Sequence, residues 1–226
     1  MTLSPEFRAI HARQEAEAER ARAAPPPDPR RYFAGLDLGQ AQDHSAVAVV
    51  ERTTHPDPER AGKAVYRFDV RHLHRWPLGT PYPKVVADVR GWYAGAPLKG
   101  SVLAVDGTGV GRAVVDLFRA AGIGADLRAY TITGGEGSRG RSVAKKDLVG
   151  GVQAALQGRR LRVAEGLPLA AALGKELEAY RVKVTASRNE VFEAWRERDH
   201  DDLVLALALA VHVGSIPPAF VVDLLA

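Results

Sequence analysis

YFAGLDLG, running from Tyr32 to Gly39, is the stretch on which the fold turns. Its apolar residues suit a strand in the middle of a sheet. Yet Asp37 stands near its carboxyl end. A carboxylate inside a buried strand is costly unless it is paired, hydrogen-bonded or bound to metal. The Gly39 that follows lets the backbone turn tightly, or lets another group approach it. Asp37 therefore reads as the first carboxylate of a metal site, and the rest of the chain must supply the others.

On the carboxyl side, HSAVAVVER (His44 to Arg52) is near-continuously apolar and predicts a second central strand. The loop Gln40 to Asp43 is short enough to make the pair a hairpin. AVYRFDVRHLHRW (Ala64 to Trp76) alternates and predicts a third, antiparallel strand. Pro83 to Tyr93 has helical spacing with proline near its start. Ser101 to Val105 predict a short buried strand ending at Asp106. A glycine-rich loop (Gly107, Thr108, Gly109, Gly111) and a helix from Arg112 to Ala121 follow. Leu127 to Thr133 predict another strand, and GGEGSRGR (Gly134 to Arg141) a basic loop. SVAKKDLVGGVQAALQ predicts a helix, RRLRVA a short strand, and LPLAAALGKELEAY a helix begun by Pro168. Arg181 to Trp195 read as a β-hairpin turning at Ser187 to Asn189. RDHDDLVLALALAVHV opens on acid and continues as an apolar helix. Three antiparallel strands followed by strand–helix alternation predict a mixed α/β sheet with helices on both faces. The hairpin precedes the C-terminal helix.

On the amino side, residues 1 to 23 are rich in Ala, Glu and Arg and read as an exposed charged helix. The prolines of APPPDPRR cannot continue a helix and favour a stiff spacer. The expected organisation is an arm over 1–30 and one domain over 31–226.

The chain has 226 residues, 46% hydrophobic and 26% charged, the profile of a globular domain with a full core. No apolar run is long enough to span a membrane, and the N-terminus lacks a signal-peptide core. Cysteine is absent, which removes disulfides, thiolate metal sites and cysteine nucleophiles. That composition is compatible with the cytoplasm. The net charge of +4 suits a polyanionic partner.

Three acidic points stand out: Asp37, Asp106, and the pair Asp201 and Asp202 that opens the last helix. The carboxyl ends of adjacent parallel strands share one edge of a sheet, where sites form. Carboxylates gathered there need a compensating cation. Hard oxygen donors without cysteine favour magnesium or manganese, and two such ions can activate water against a phosphodiester. The bland alternatives are that Asp106 caps a helix and that Asp201 and Asp202 answer a helix dipole. Arg139, Arg141, Lys145 and Lys146, near the same edge, are candidates for phosphate contact, as are Arg181, Lys183 and Arg188 on the hairpin. Asp43 and His44 read as solvated turn residues, and His72 and His74 as part of a solvated strand face.

The succession LDLG…DHSAVAVV, LAVDGTGVG, KKDLVGGVQAALQGRRLRVA and HDDLVLALALA resembles the nuclease domain of phage terminase large subunits. The resemblance covers about Tyr32 to Val213. It implies a ribonuclease H-like fold, related to Holliday-junction resolvases, and metal-dependent cleavage of packaged double-stranded DNA. It also implies that Asp37, Asp106 and Asp202 hold two magnesium or manganese ions, with Asp201 beside them. Resolvase-type members often carry a further Asp three residues beyond the helix Asp. Leu205 stands there, so Asp201 or His200 is left to substitute. Implied partners are double-stranded DNA and other terminase or portal components, in the host-cell cytoplasm.

Two other readings compete. DLG and DGTGVG also resemble the phosphate loops of actin-like and sugar-kinase-like ATPases, although those need two copies of the fold. A non-catalytic DNA-binding remnant of a prophage terminase would keep the fold without the chemistry. Arg112 breaks the G-x-G-x-x-G dinucleotide pattern, and no G-x-x-x-x-G-K-[ST] P-loop occurs, so this chain carries no P-loop ATPase motif.

Overall fold

A computed structural model of the chain describes residues 30–39, 43–57, 64–134, 139–164, 166–186 and 201–217. The strands are β1 (Arg30–Asp37), β2 (Ala46–Pro56), β3 (Ala64–Arg75), β4 (Val102–Asp106), β5 (Asp126–Thr133), β6 (Ser142–Ala144) and β7 (Leu161–Val163). The helices are α1 (Tyr82–Tyr93), α2 (Gly111–Ala121), α3 (Lys145–Gln157), α4 (Ala170–Ala186) and α5 (Asp202–Ser215). The strands form one sheet in the order β6-β5-β4-β1-β2-β3-β7. β1, β2 and β3 are antiparallel neighbours, while β4 runs parallel to β1, β5 to β4 and β6 to β5. This is the mixed α/β, ribonuclease H-like sheet that the sequence predicts. The expected arm lies outside the described residues, apart from Arg30.

Each face of the sheet carries its own core, because side chains alternate along a strand. Phe33, Ala46, Ala48, Val50, Phe68 and Val70 pack on one face with α3 and α5. Ala34, Leu36, Val47 and Val49 pack on the other with α1 and α2. α5 is buried almost all round, from Asp202 to Val211, which explains the uninterrupted LVLALALAV. It lies directly on β1: a Cβ on Gly35 would come 2.0 Å from the Ala206 carbonyl oxygen and 2.6 Å from the Ala210 nitrogen. Only glycine tolerates that approach. Among the described residues no helix is long and apolar enough to cross a membrane.

Three local readings change. Ser142 to Ala144, expected as the start of a helix, form the edge strand β6, where Val143 is buried opposite Ile132. The hairpin expected from Arg181 is helical over Arg181 to Ala186, as the end of α4. The β-branched alternation of RVKVT is overridden by continuation of a helix already nucleated, since adding a residue costs less than starting anew. The expected turn at Ser187 to Asn189 and the second arm lie outside the described residues. Finally, β3 carries an extra residue. Val50 pairs with Val70 but Val49 pairs with His72, so Arg71 sits in a bulge. The bulge reverses the alternation. Leu73 and Arg75 turn to the α5 face, and His72 and His74 turn to the other. There His72 meets Trp92 at 5.2 Å and His74 meets Trp76 at 4.7 Å between ring centres. The two histidines are half-buried among tryptophans rather than solvated.

Candidate metal centre

The site forms where the register of the sheet and the position of α5 coincide. Leu36 pairs with Val105 in the parallel β1–β4 ladder, so Asp37 and Asp106 follow as neighbours at its carboxyl edge. Adjacent strands lie about 4.8 Å apart. Asp37 also pairs with Ala46 on β2, and Ala46 with Arg75 on β3. One row across four strands thus reads Arg75, Ala46, Asp37, Asp106, all on the α5 face.

α5 completes the site. Its middle crosses Gly35, and its N-terminal end lies toward the strand end that bears Asp37. Asp37 and Asp202 are both buried, 9% and 4% exposed. Burial first, then the charges of Asp106, Asp202 and Asp201, push the Asp37 carboxyl well above the usual carboxylate range, while Lys145 pulls it down. The other three acids singled out in the sequence are therefore within electrostatic reach of Asp37.

Each acid has a defined neighbour. Asp106 Oδ1 accepts the Thr108 amide at 2.8 Å and closes a tight turn. It is not the cap of α2, whose N-cap position is Val110. Asp201 occupies the N-cap position of α5 yet makes no capping bond. Instead Asp201 Oδ2 accepts from Lys145 Nζ at 2.7 Å. Asp202 Oδ2 lies 3.6 Å from Arg75 Nε. The bond that caps α5 comes from another element: Glu176 Oε2, on α4, accepts the Leu203 and Val204 amides at 3.1 and 3.2 Å. Glu176 Oε1 forms an ion pair with Arg75. Burial raises the Glu176 pKa, and Arg75 opposes that rise.

Sequence reasoning missed Arg75 and Glu176. Arg75 is hidden by the bulge, because straight alternation from Phe68 and Val70 turns it outward. Glu176 sits in an ordinary helical pattern, and nothing local marks it.

The donor chemistry suits a hard divalent cation: carboxylates only, two of them buried, with Lys145 and Arg75 supplying the nearby positive charge. Among the described residues, however, no three acidic or histidine side chains already converge as a ligand cluster. Two of the acids are instead turned toward basic side chains.

Of the residues singled out for phosphate contact, Lys145 lies at the carboxylates. Lys146, Arg139 and Arg141 are exposed, on the α3 start and the loop before β6. Arg181 and Lys183 lie on the helical end of α4, without described side chains, and Arg188 and His200 lie outside the described residues. His44 is tied through Nδ1 to the Trp76 carbonyl at 2.7 Å. Asp43 is exposed next to Gly39, where a Cβ would come 2.2 Å from the Asp43 carbonyl oxygen.

A sheet in this order, with acids at the β1–β4 edge and at the start of the buried helix α5, defines a ribonuclease H-like domain. The family of the terminase RNaseH-like domain matches residues 99–213, just over half of the chain, and the chain belongs to that family. The match spans Asp106, Asp201 and Asp202. Among solved structures, the large terminase nuclease from thermophilic phage G20c is similar at 24% identity and a TM-score of 0.53, covering 83% of each chain. That likeness speaks to the fold. The g2p (large terminase) nuclease domain from bacteriophage SPP1, a structure with bound Mn, is 14% identical. It covers 83% of this chain and 88% of its own, with a TM-score of 0.46. The HK97 bacteriophage large terminase is 19% identical over 84% of this chain and 40% of its own, with a TM-score of 0.48. No curated protein matches the sequence.

Proposed function

We propose that the chain is a divalent-metal-dependent DNA endonuclease domain that cuts double-stranded DNA during viral genome packaging. The observation that carries this reading is the burial of Asp37 among the charges of Asp106, Asp201 and Asp202. Such a concentration of negative charge is unfavourable by itself and is offset by a cation. Family membership supports the substrate class. In this reading Asp37, Asp106 and Asp202 would hold two magnesium or manganese ions, with Asp201 beside them. Ions held there supply an activated water and charge stabilisation at the leaving oxygen of a phosphodiester.

The chain's own side chains do the rest. The Thr108 amide fixes the orientation of Asp106. Lys145 holds Asp201 and lowers the cost of ionising Asp37. Arg139, Arg141 and Lys146 neutralise duplex phosphates beside the carboxylates, and Arg181, Lys183 and Arg188 are proposed for the same duplex. Other terminase or portal components are the proposed protein partners, and the host-cell cytoplasm the proposed place of action.

The test is supercoiled plasmid incubated with the purified chain in magnesium, manganese or EDTA. Nicked and linear products are expected with either metal and none with EDTA. Asp37→Asn is expected to slow cleavage by about two orders of magnitude or more. Full activity in Asp37→Asn, or undiminished cleavage in EDTA, sinks the reading.

A further inference from the structure

We infer that Glu176 is a positioning residue for the metal carboxylates: by capping α5 from outside it frees Asp201 from the helix end, and through Arg75 it sets Asp202, so that both can serve the site. The inference rests on the metal-site reading above and concerns a residue outside the four carboxylates.

A helix N-terminus leaves four amides without intrahelical partners. The ordinary solution is a Ser, Thr, Asp or Asn at the N-cap that bonds back to the second or third amide. Asp201 is such a residue at that place, and it does not do this. Leu203 and Val204 donate to Glu176 Oε2 instead. The substitution of one carboxylate for another has a directional consequence. A self-capping Asp201 would fold its side chain over its own helix, away from Asp37. With Glu176 in place, Asp201 reaches Lys145, and both Asp201 and Asp202 act on Asp37.

Glu176 is not itself a plausible metal ligand. One oxygen is taken by two backbone amides and the other by Arg75, and its side chain is 9% exposed. Arg75 links the cap to the site. Its guanidinium pairs with Glu176 and also places Nε 3.6 Å from Asp202 Oδ2. The bulge at Arg71 is what turns Arg75 to this face. Bulges commonly re-aim side chains beside active sites in this way. Residues that orient ligands without touching the metal typically change metal affinity about 10–100-fold when altered.

The experiment is manganese titration of the full chain by calorimetry, together with the manganese concentration that gives half-maximal plasmid cleavage. Glu176→Gln keeps the shape but loses the charge that holds the two amides and Arg75. It is expected to raise the half-saturating manganese about 10–100-fold, with the rate at saturating metal changed far less. A purely structural role would lower the melting temperature and leave the manganese affinity alone. Should Glu176→Gln fail to fold, the double variant Arg75→Met/Glu176→Gln removes both charges of the pair together, a change that buried pairs often tolerate. The same weakening of manganese binding is expected there. Wild-type manganese affinity in either folded variant overturns the inference. Absence of both manganese binding and cleavage in the wild-type chain would instead overturn the metal-site reading on which it stands.

Discussion

Asp37 carries a local conflict between burial and charge. Its folded-state pKa is raised by burial and by three neighbouring acids. The sign of the linkage follows. Asp37 binds its proton more tightly folded than unfolded, so its contribution to stability is complete below the unfolded value and is lost as pH rises through the folded one. At neutral pH without metal, Asp37 works against the fold. Asp37→Asn is therefore expected to melt higher than wild type in EDTA, by about 2–4 °C for each kcal/mol relieved, and to lose the further rise that manganese brings to wild type. Thermal melts with and without EDTA check both halves. Lys145 tests a neighbouring point. It pulls the Asp37 pKa down, so Lys145→Met should move the acid limb of the pH–rate profile to higher pH. If Lys145 serves only as a phosphate contact, the variant weakens DNA binding and leaves that limb where it was.

At the scale of elements, the decisive contact is α5 against β1. Gly35 lets the helix backbone settle on the strand, and this brings the helix start toward the strand end that bears Asp37. Gly35→Ala places a Cβ against backbone atoms, which cannot move as a side-chain tip can. It is expected to cost about 3 kcal/mol, the upper part of the usual overpacking range, and to raise the manganese requirement because α5 is displaced. Urea unfolding and the metal titration of cleavage measure these separately. The elements also mark where sequence reading ran out. β1, β2, β4 and α5 were legible because their apolar runs and alternation are strong and their ends are punctuated by Gly or Asp. The bulge in β3 was not. One unpaired residue, Arg71, inverts every side chain beyond it, and alternation alone cannot locate such a slip. The hairpin reading failed over Arg181 to Ala186 for a related reason: a β-branched alternation is also compatible with the continuation of a helix already begun.

At the scale of the whole molecule, three histidines tie stability to pH. His72, His74 and His212 all have pKa values lowered by burial. They bind protons more weakly folded than unfolded, so their contribution is complete above the unfolded value near 6.5 and is lost as pH falls below it. Asp37 has the opposite slope, so the two effects are best separated in Asp37→Asn. With Glu176→Gln added to remove the second carboxyl whose pKa burial raises, the melting temperature in that background should fall as pH drops from about 7.5 to about 5, as the buried histidines take up protons. A flat profile there contradicts the burial of the two β3 histidines against Trp76 and Trp92.

By itself the sequence determined most of the order of strands and helices, four candidate acids, and the family that this order resembles, because apolar periodicity and a carboxylate in a buried strand are local signals. Tertiary structure alone decided which groups hold those acids. Arg75 reaches the site through a bulge, and Glu176 through the packing of α4 on α5. Neither is written in any window of neighbouring residues. Both depend on long-range register and helix packing, where a shift of one residue exchanges a buried charge for a solvated one.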